Sequence, residues 1–105
     1  MYKTVEREWG SYQILDKGPG SLTKLLKFNG KKPTSTQRHQ NRAENWMCIK
    51  GKITIELEGE TEWLFPGDFI QIRANTWHQA TGEDGACAIE VWLGNNLSED
   101  DIERK

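Results

Sequence analysis

The feature that most constrains the fold is a succession of short strand-like runs, each bounded by turn residues, with almost no helical periodicity before residue 97. Alternating apolar and polar residues favour strands because successive side chains of a strand point to opposite faces. The pattern predicts nine strands, near residues 11–15, 22–28, 36–39, 44–50, 52–57, 61–65, 69–73, 77–80 and 86–93. Many short strands at this spacing are typical of a β-sandwich or a β-barrel.

Turn residues separate these runs. Glu58-Gly59 lies between two alternating runs and predicts a tight hairpin in which Gly59 adopts a positive φ angle. Pro66-Gly67 predicts a second turn. After residue 97, Ser98 precedes several acidic residues, which is typical of a helix N-cap and first turn. We therefore predict one all-β domain that spans residues 1–105, with a short helix at its C-terminal end.

Composition narrows the class of protein. The 105 residues carry a net charge of −2, which excludes the basic surface that a nucleic-acid or membrane-surface binder needs. No run has the length and apolar character of a signal-peptide core or a membrane-spanning helix. Cys48 and Cys87 each lie in an apolar run and predict buried free thiols in a reducing cytoplasm. Because a domain this small buries little surface alone, we also expect a homodimer.

Potential metal ligands are concentrated between residues 37 and 44. Gln37 and His39 are two residues apart and therefore share one face of a strand. Glu44 lies five residues after His39, so a turn through residues 40–43 is needed to bring it to the same side on the next strand. His78, the other histidine of the chain, follows the turn at 73–76 and is the candidate for the remaining ligand. The alternative for these residues is a polar hydrogen-bond network on the sheet. For Gln37 a further alternative is a hydrogen bond to one of the metal-binding residues in place of a bond to the metal itself.

The spacing of these residues resembles the two sequence motifs of the cupin superfamily. The first motif is matched by Gln37-x-His39-x4-Glu44-x6-Gly51 and the second by Gly67-x10-His78. Asn75 stands where the turn of the second motif usually has glycine, and asparagine tolerates the left-handed conformation. Four longer segments, "REWGSYQIL", "QRHQNRAENW", "EVWLG" and "LSEDDIER", are similar to successive landmarks of the cupin domain of type II mannose-6-phosphate isomerases.

This resemblance implies a cupin double-stranded β-helix, or jelly-roll barrel, that binds one divalent metal ion. The implied ligands are Gln37, His39, Glu44 and His78, with zinc as the first choice of metal and manganese, cobalt, nickel or iron as alternatives. Arg42 falls on an arginine of the family motif, where its planar guanidinium would bind a sugar phosphate. Lys24 falls on a family lysine, which implies a phosphate contact or a proton-transfer group, whereas without the resemblance the plainest interpretation of Lys24 is an exposed lysine on a strand.

The implied function is a metal-dependent aldose–ketose isomerase that acts on a phosphorylated hexose, interconverting mannose 6-phosphate and fructose 6-phosphate. Two alternatives stay open: a non-catalytic cupin that binds a sugar or a metal, and a small metal-dependent dioxygenase, because open metal positions also suit iron. Trp46 and Trp77 flank the proposed ligands and are expected to form walls of the pocket, whereas Trp63 and Trp92 are expected to pack in the core.

Overall fold

Eleven β-strands form two antiparallel sheets in the computed structural model, which describes residues 2–105. The strands are β1 (Thr4–Arg7), β2 (Gly10–Lys17), β3 (Ser21–Phe28), β4 (Gln37–Arg38), β5 (Ala43–Lys50), β6 (Ile53–Leu57), β7 (Glu60–Leu64), β8 (Phe69–Ile72), β9 (His78–Gly82), β10 (Cys87–Leu93) and β11 (Glu103–Arg104). All nine strands predicted from the sequence are present. The structure adds β1 and β11, which the sequence pattern did not reveal.

The strand order is that of a jelly-roll barrel. One sheet has the order β1-β2-β3-β10-β5-β8 and the other the order β11-β4-β9-β6-β7. Side chains alternate between the two faces, so every second residue of β3 and β10, and Glu44, Trp46 and Cys48 of β5, is buried between the sheets. The core contains residues from both sheets, including Trp46, Ile53, Ile55, Ile72 and Ala88. The predicted all-β class and cupin fold are therefore confirmed.

The predicted turns are also present. Glu58 and Gly59 have φ angles of 49° and 85°, which closes the β6–β7 hairpin with two left-handed residues. The Pro66-Gly67 turn is closed by a hydrogen bond of 2.8 Å from the backbone N–H of Asp68 to the carbonyl of Phe65.

The predicted C-terminal helix is wrong. No helix occurs among residues 2–105, and accordingly none in that range is long and apolar enough to cross a membrane. Ser98 does accept a hydrogen bond from the backbone of Asp100, as a cap would, but the helix does not continue. Instead β11 pairs with β4, with Glu103 opposite Arg38. The edge of β4 offers the backbone hydrogen bonds that a helix would otherwise have supplied.

The tryptophan predictions were partly wrong. Trp63 lies on the outside of β7 with 57% of its surface exposed, so it does not pack in the core. Trp92 is buried, as expected, but its ring also lines the main cavity. Trp46 is buried and lines this cavity as well, whereas Trp77 borders a second, smaller cavity.

Candidate functional site

Strands β4, β5 and β9 bring the candidate ligands together between the two sheets. Gln37 on β4 lies directly opposite His78 at the start of β9. Glu44 is the second residue of β5 and points inward. The carbonyl of His39 accepts a hydrogen bond of 2.7 Å from the backbone N–H of Asn75, which has the left-handed φ of 62° that the sequence predicted. This bond joins the loop after β4 to the turn before His78.

His39, Glu44 and His78 form a compact buried triad. The Nε2 atom of His39 lies 3.3 Å from Oε2 of Glu44, and Nε2 of His78 lies 3.7 Å from Oε1 of Glu44. One potential ligand atom from each residue lies within 4.8 Å of the others. Two imidazoles and a carboxylate at this spacing are a donor set for a divalent transition metal. The three residues therefore fit the metal that the fold implies.

Hydrogen bonds to the backbone orient both imidazoles. Nδ1 of His39 donates to the carbonyl of Asp101 at 2.7 Å, and Nδ1 of His78 donates to the carbonyl of Thr76 at 2.9 Å. Because a carbonyl can only accept, each Nδ1 carries the proton and each Nε2 keeps its lone pair. Burial also lowers the pKa of His39, which favours its neutral form. This arrangement is the one that metal-binding histidines need.

Arg42 is a buried member of the same cluster. Its Nε donates to Oε2 of Glu44 at 2.9 Å, its Nη2 lies 3.1 Å from Nε2 of His39, and its Nη1 donates to the carbonyl of Ser98 at 3.3 Å. The guanidinium carbon lies 3.3 Å from the centre of the Trp92 ring. All three guanidinium nitrogens thus have partners within the site. A phosphate-binding role for Arg42 stays a prediction.

Glu90 is a site residue that the sequence reasoning missed. It is buried on β10, lines the main cavity, and accepts a hydrogen bond of 3.0 Å from Nε1 of Trp92. Burial and the charge of Glu44 raise the pKa of Glu90 well above the ordinary range, and a hydrogen bond links the two carboxyl groups. Burial also opposes ionisation of Glu44, but the positive charge of Arg42 outweighs it and lowers the pKa of Glu44 to about 2. The opposite directions of the two pKa shifts favour a proton on Glu90 and a negative charge on Glu44.

The sequence did contain a signal for Glu90. In "ACAIEVWL" the inward positions of the predicted strand are otherwise small or apolar, so an acidic residue among them requires a partner.

A cavity of about 350 Å³ opens next to the triad. Its lining includes His78 and Gln37 together with four cationic side chains, those of Arg7, Lys24, Arg42 and Arg104. Gln37 donates its amide N–H to the hydroxyl of Ser35 at 3.2 Å. The role of its amide oxygen as a fourth metal ligand stays a prediction. Lys24, an exposed strand lysine on the plainest interpretation of the sequence, is in fact only 5% exposed and faces this cavity.

Comparison with known proteins assigns the chain to a family. The family model described as Mannose-6-phosphate isomerase C-terminal matches residues 1–105. The mannose-1-phosphate guanylyltransferase ManC of Salmonella typhimurium is 31% identical over 99% of this chain and 22% of its own length. The alginate biosynthesis protein AlgA of Pseudomonas aeruginosa is 32% identical over 95% of this chain and 21% of its own length. The chain thus spans about a fifth of the length of these curated relatives.

Solved structures support the same fold. KdgF from Halomonas sp. superposes with a TM-score of 0.81 at 24% identity, covering 95% of this chain and 89% of that one. Oxalate decarboxylase from Bacillus subtilis superposes with a TM-score of 0.84 at 14% identity, covering 98% of this chain and 30% of that one. At these identities the likeness concerns the fold alone. Together with the family match, it shows that the chain belongs to the family of mannose-6-phosphate isomerase C-terminal domains and has the cupin fold.

Proposed function

We propose that this domain is a metal-dependent aldose–ketose isomerase that interconverts mannose 6-phosphate and fructose 6-phosphate. The observation that carries the proposal is the buried triad of His39, Glu44 and His78 beside a cavity of about 350 Å³ with cationic side chains in its wall. A cavity of this volume suits a ligand of the size of a hexose phosphate. The family match and the mannose phosphate named for its relatives support the same class of substrate.

The proposed metal site consists of His39, Glu44 and His78, with Gln37 as the fourth ligand and zinc as the first choice of metal. When bound, the divalent ion would supply Lewis-acid polarisation of the sugar oxygens. The chain itself fixes the ligands before metal arrives, because Asp101 and Thr76 set the tautomers of the two histidines.

Isomerisation moves a proton between C1 and C2 of the sugar, so the site needs a group that can carry this proton. Glu90 lines the cavity and has a pKa that burial raises, so its carboxyl can hold a proton, and we propose it as one candidate. Lys24 is the other, since its side chain faces the same cavity. The rings of Trp46 and Trp92 line the cavity beside these groups and would exclude water from the reacting carbons.

Arg42 has two possible duties that can be separated experimentally. If it binds the phosphate, Arg42→Lys keeps the charge but loses the planar fork, so affinity should fall for mannose 6-phosphate and barely change for mannose. If it mainly holds Glu44 and His39 in place, the two affinities should fall together. Calorimetric titration of both sugars into both proteins distinguishes the two roles.

Metal binding is tested before activity. After reconstitution with zinc and dialysis, elemental analysis should find one metal ion per wild-type chain and much less in His39→Ala and His78→Ala, since two remaining ligands hold a metal weakly. Gln71→Ala, an exposed change on β8, serves as the control. Full metal content in both histidine variants would place the metal elsewhere.

The function is then tested by a coupled assay for fructose 6-phosphate formed from mannose 6-phosphate by the reconstituted protein. Turnover that depends on the metal and is lost in His78→Ala supports the isomerase. Retention of sugar binding without turnover would refute the isomerase and favour the non-catalytic alternative. Oxygen uptake by the iron-loaded protein would favour the dioxygenase.

We further propose that the domain is a cytoplasmic homodimer. The outer face of the larger sheet carries a row of apolar residues on adjacent strands, in the order Phe69, Met47, Ile89 and Leu25. Phe69 and Met47 are 72% and 45% exposed, and contact with the same face of a second copy would cover them. Sedimentation at micromolar concentration should give a dimer for the wild type and a monomer for Met47→Glu. A wild-type monomer would refute this assembly.

A further inference from the structure

Cations and aromatic rings alternate along one wall of the main cavity. The series begins with Arg7 on β1 and runs through Tyr12 on β2, Lys24 on β3 and Trp92 on β10 to Arg42, just before β5. The Arg7 guanidinium lies 5.4 Å from the Tyr12 ring centre, and the Lys24 ammonium lies 4.1 Å from both the Tyr12 and the Trp92 ring centres. These ring faces fix the position of the ammonium group.

The three cations differ in what neutralises them. Arg42 is held by the carboxylate of Glu44, which is fully buried with it. Lys24 is buried too, but its ion-pair partner is Glu99, whose side chain is 54% exposed and whose carboxylate lies 2.9 Å from Nζ. The Arg7 guanidinium donates a hydrogen bond of 2.9 Å to the backbone carbonyl of Glu6, which carries no charge.

We propose that Lys24 and Arg7 form the binding site for the phosphate group of a sugar phosphate, and that the Glu99 carboxylate competes with this phosphate for Lys24. The carboxylate of Glu99 marks a place where a buried ammonium already holds an anion. Because the Glu99 side chain is 54% exposed, its carboxylate can return to water when a phosphate takes its place beside Lys24. The identity of the ligand as a sugar phosphate rests on the proposed function.

The chemistry of the wall suits a phosphate monoester better than a carboxylate. A dianion can accept hydrogen bonds from the Lys24 ammonium and the Arg7 fork together, since it offers three oxygens and two charges. A single carboxylate balances only one of the two cations. The partners of Arg42 are buried, so this third cation is less free to turn towards a ligand.

The position of the site also suits a hexose 6-phosphate. The Trp92 ring contacts both Lys24 and Arg42, so the proposed phosphate site is a neighbour of the triad but shares no residue with it. In a hexose 6-phosphate, C1 and C2 lie at the opposite end of the sugar from the phosphate. Binding energy gained at Lys24 and Arg7 would therefore position the reacting carbons near the triad.

The test uses two-dimensional NMR titrations of the isotope-labelled chain at constant pH and ionic strength, with inorganic phosphate, mannose 6-phosphate and mannose as probes. Binding constants come from the shifts of the tryptophan indole and backbone N–H signals. Lys24→Gln should weaken binding of both phosphate-containing probes by about tenfold or more, the value of a charge-assisted hydrogen bond. Arg7→Gln, a surface change that keeps the fold, should weaken it severalfold. Mannose should bind equally to all variants.

Glu99→Gln should strengthen phosphate binding by about two- to fivefold, since an ion pair with one exposed partner contributes little. The matched controls are Lys27→Gln, an exposed lysine on the outer face of β3, and Asp100→Asn, the exposed neighbour of Glu99. Both should leave every binding constant unchanged.

Unchanged affinity in Lys24→Gln and Arg7→Gln, or equal loss for mannose and mannose 6-phosphate, would overturn the proposed phosphate site. Unchanged affinity in Glu99→Gln would overturn the competition. These readouts need no turnover. A chain that binds phosphate at Lys24 but fails the isomerase assay would refute the proposed function and leave this site standing, whereas an active isomerase with normal affinity in Lys24→Gln would do the reverse.

Discussion

Replacing Glu44 by glutamine should destabilise the domain strongly at neutral pH. The Glu44 carboxylate is fully buried and accepts hydrogen bonds of 2.9 Å from Arg42 on one oxygen and from Trp46 on the other. Glutamine has the same shape but only one acceptor oxygen, so one buried donor would face an NH₂ group. Removal of the charge also leaves Arg42 buried without its partner, which typically costs about 3–5 kcal/mol.

The pKa of Glu44 gives a similar magnitude. Burial opposes ionisation, but the charge of Arg42 lowers this pKa from 4.5 to about 2. Because the folded pKa lies below the unfolded one, the carboxylate stabilises the fold above pH 4.5, and this contribution is lost as the pH falls towards 2. Linkage gives about 3 kcal/mol at pH 7 and about 1 kcal/mol at pH 3.

The assay is urea unfolding in the presence of a chelator, followed by tryptophan fluorescence between pH 7 and pH 3. The difference in free energy of unfolding between wild type and Glu44→Gln should be about 3 kcal/mol or more at pH 7, and should shrink by about 2 kcal/mol at pH 3. Glu62→Gln, an exposed change on β7, should show no such difference. A gap below about 1 kcal/mol at pH 7, or one that does not change with pH, would refute the reasoning.

Three other substitutions probe the surroundings of the triad. Glu90→Gln should change the free energy of unfolding by less than about 1 kcal/mol near pH 4, since an amide N–H can replace the carboxyl proton. Because the folded pKa of Glu90 is raised, wild type loses stability as the pH rises above 4.5, so the variant should become progressively the more stable protein as the pH is raised towards neutral. A difference in stability that does not change with pH would contradict a raised pKa of Glu90. Gly94→Ala places a Cβ atom against the carbonyl oxygen of Asn41 and should lower zinc content, whereas Gly18→Ala, with its nearest atom 3.6 Å away, should not. The Asp101 carboxylate accepts hydrogen bonds of 2.8 Å from the backbone N–H groups of Gln40 and Asn41, so Asp101→Ala should lower the free energy of unfolding by about 1–2 kcal/mol in urea. An unchanged free energy of unfolding would show that these two bonds do not stabilise the loop.

The sequence predicted the barrel well because strand signals and turn residues are local. Period-2 alternation predicted which side of β5 points inward, and Glu44 and Trp46, two residues apart on that strand, are both buried. The spacing of the triad followed from the same alternation together with the turn at 73–76. The edge strand β1 was not predicted, because its residues "TVER" are mostly exposed and form no apolar face.

The environment of the triad could not be predicted in the same way. Glu90 and Glu44 are 46 positions apart in the chain, so their shared proton depends on strands β5 and β10 lying side by side. The direction of Arg42 is equally non-local, because its guanidinium is fixed by Trp92 and Ser98 from the other end of the chain. Local sequence shows that these residues are charged but not what each of them contacts.

The extended conformation of residues 98–105, where the sequence predicted a helix, completes the site. Had residues 98–105 formed a helix, their backbone groups would have bonded within the segment. As an extended strand and turn, the segment instead offers the carbonyl of Ser98 to Arg42, the carboxylate of Glu99 to Lys24 and the carbonyl of Asp101 to His39. One short segment thus fixes the direction of a guanidinium, the charge balance of an ammonium and the tautomer of a candidate ligand. Since the core residues all precede this segment, it is the chemistry of the site rather than the barrel that depends on it.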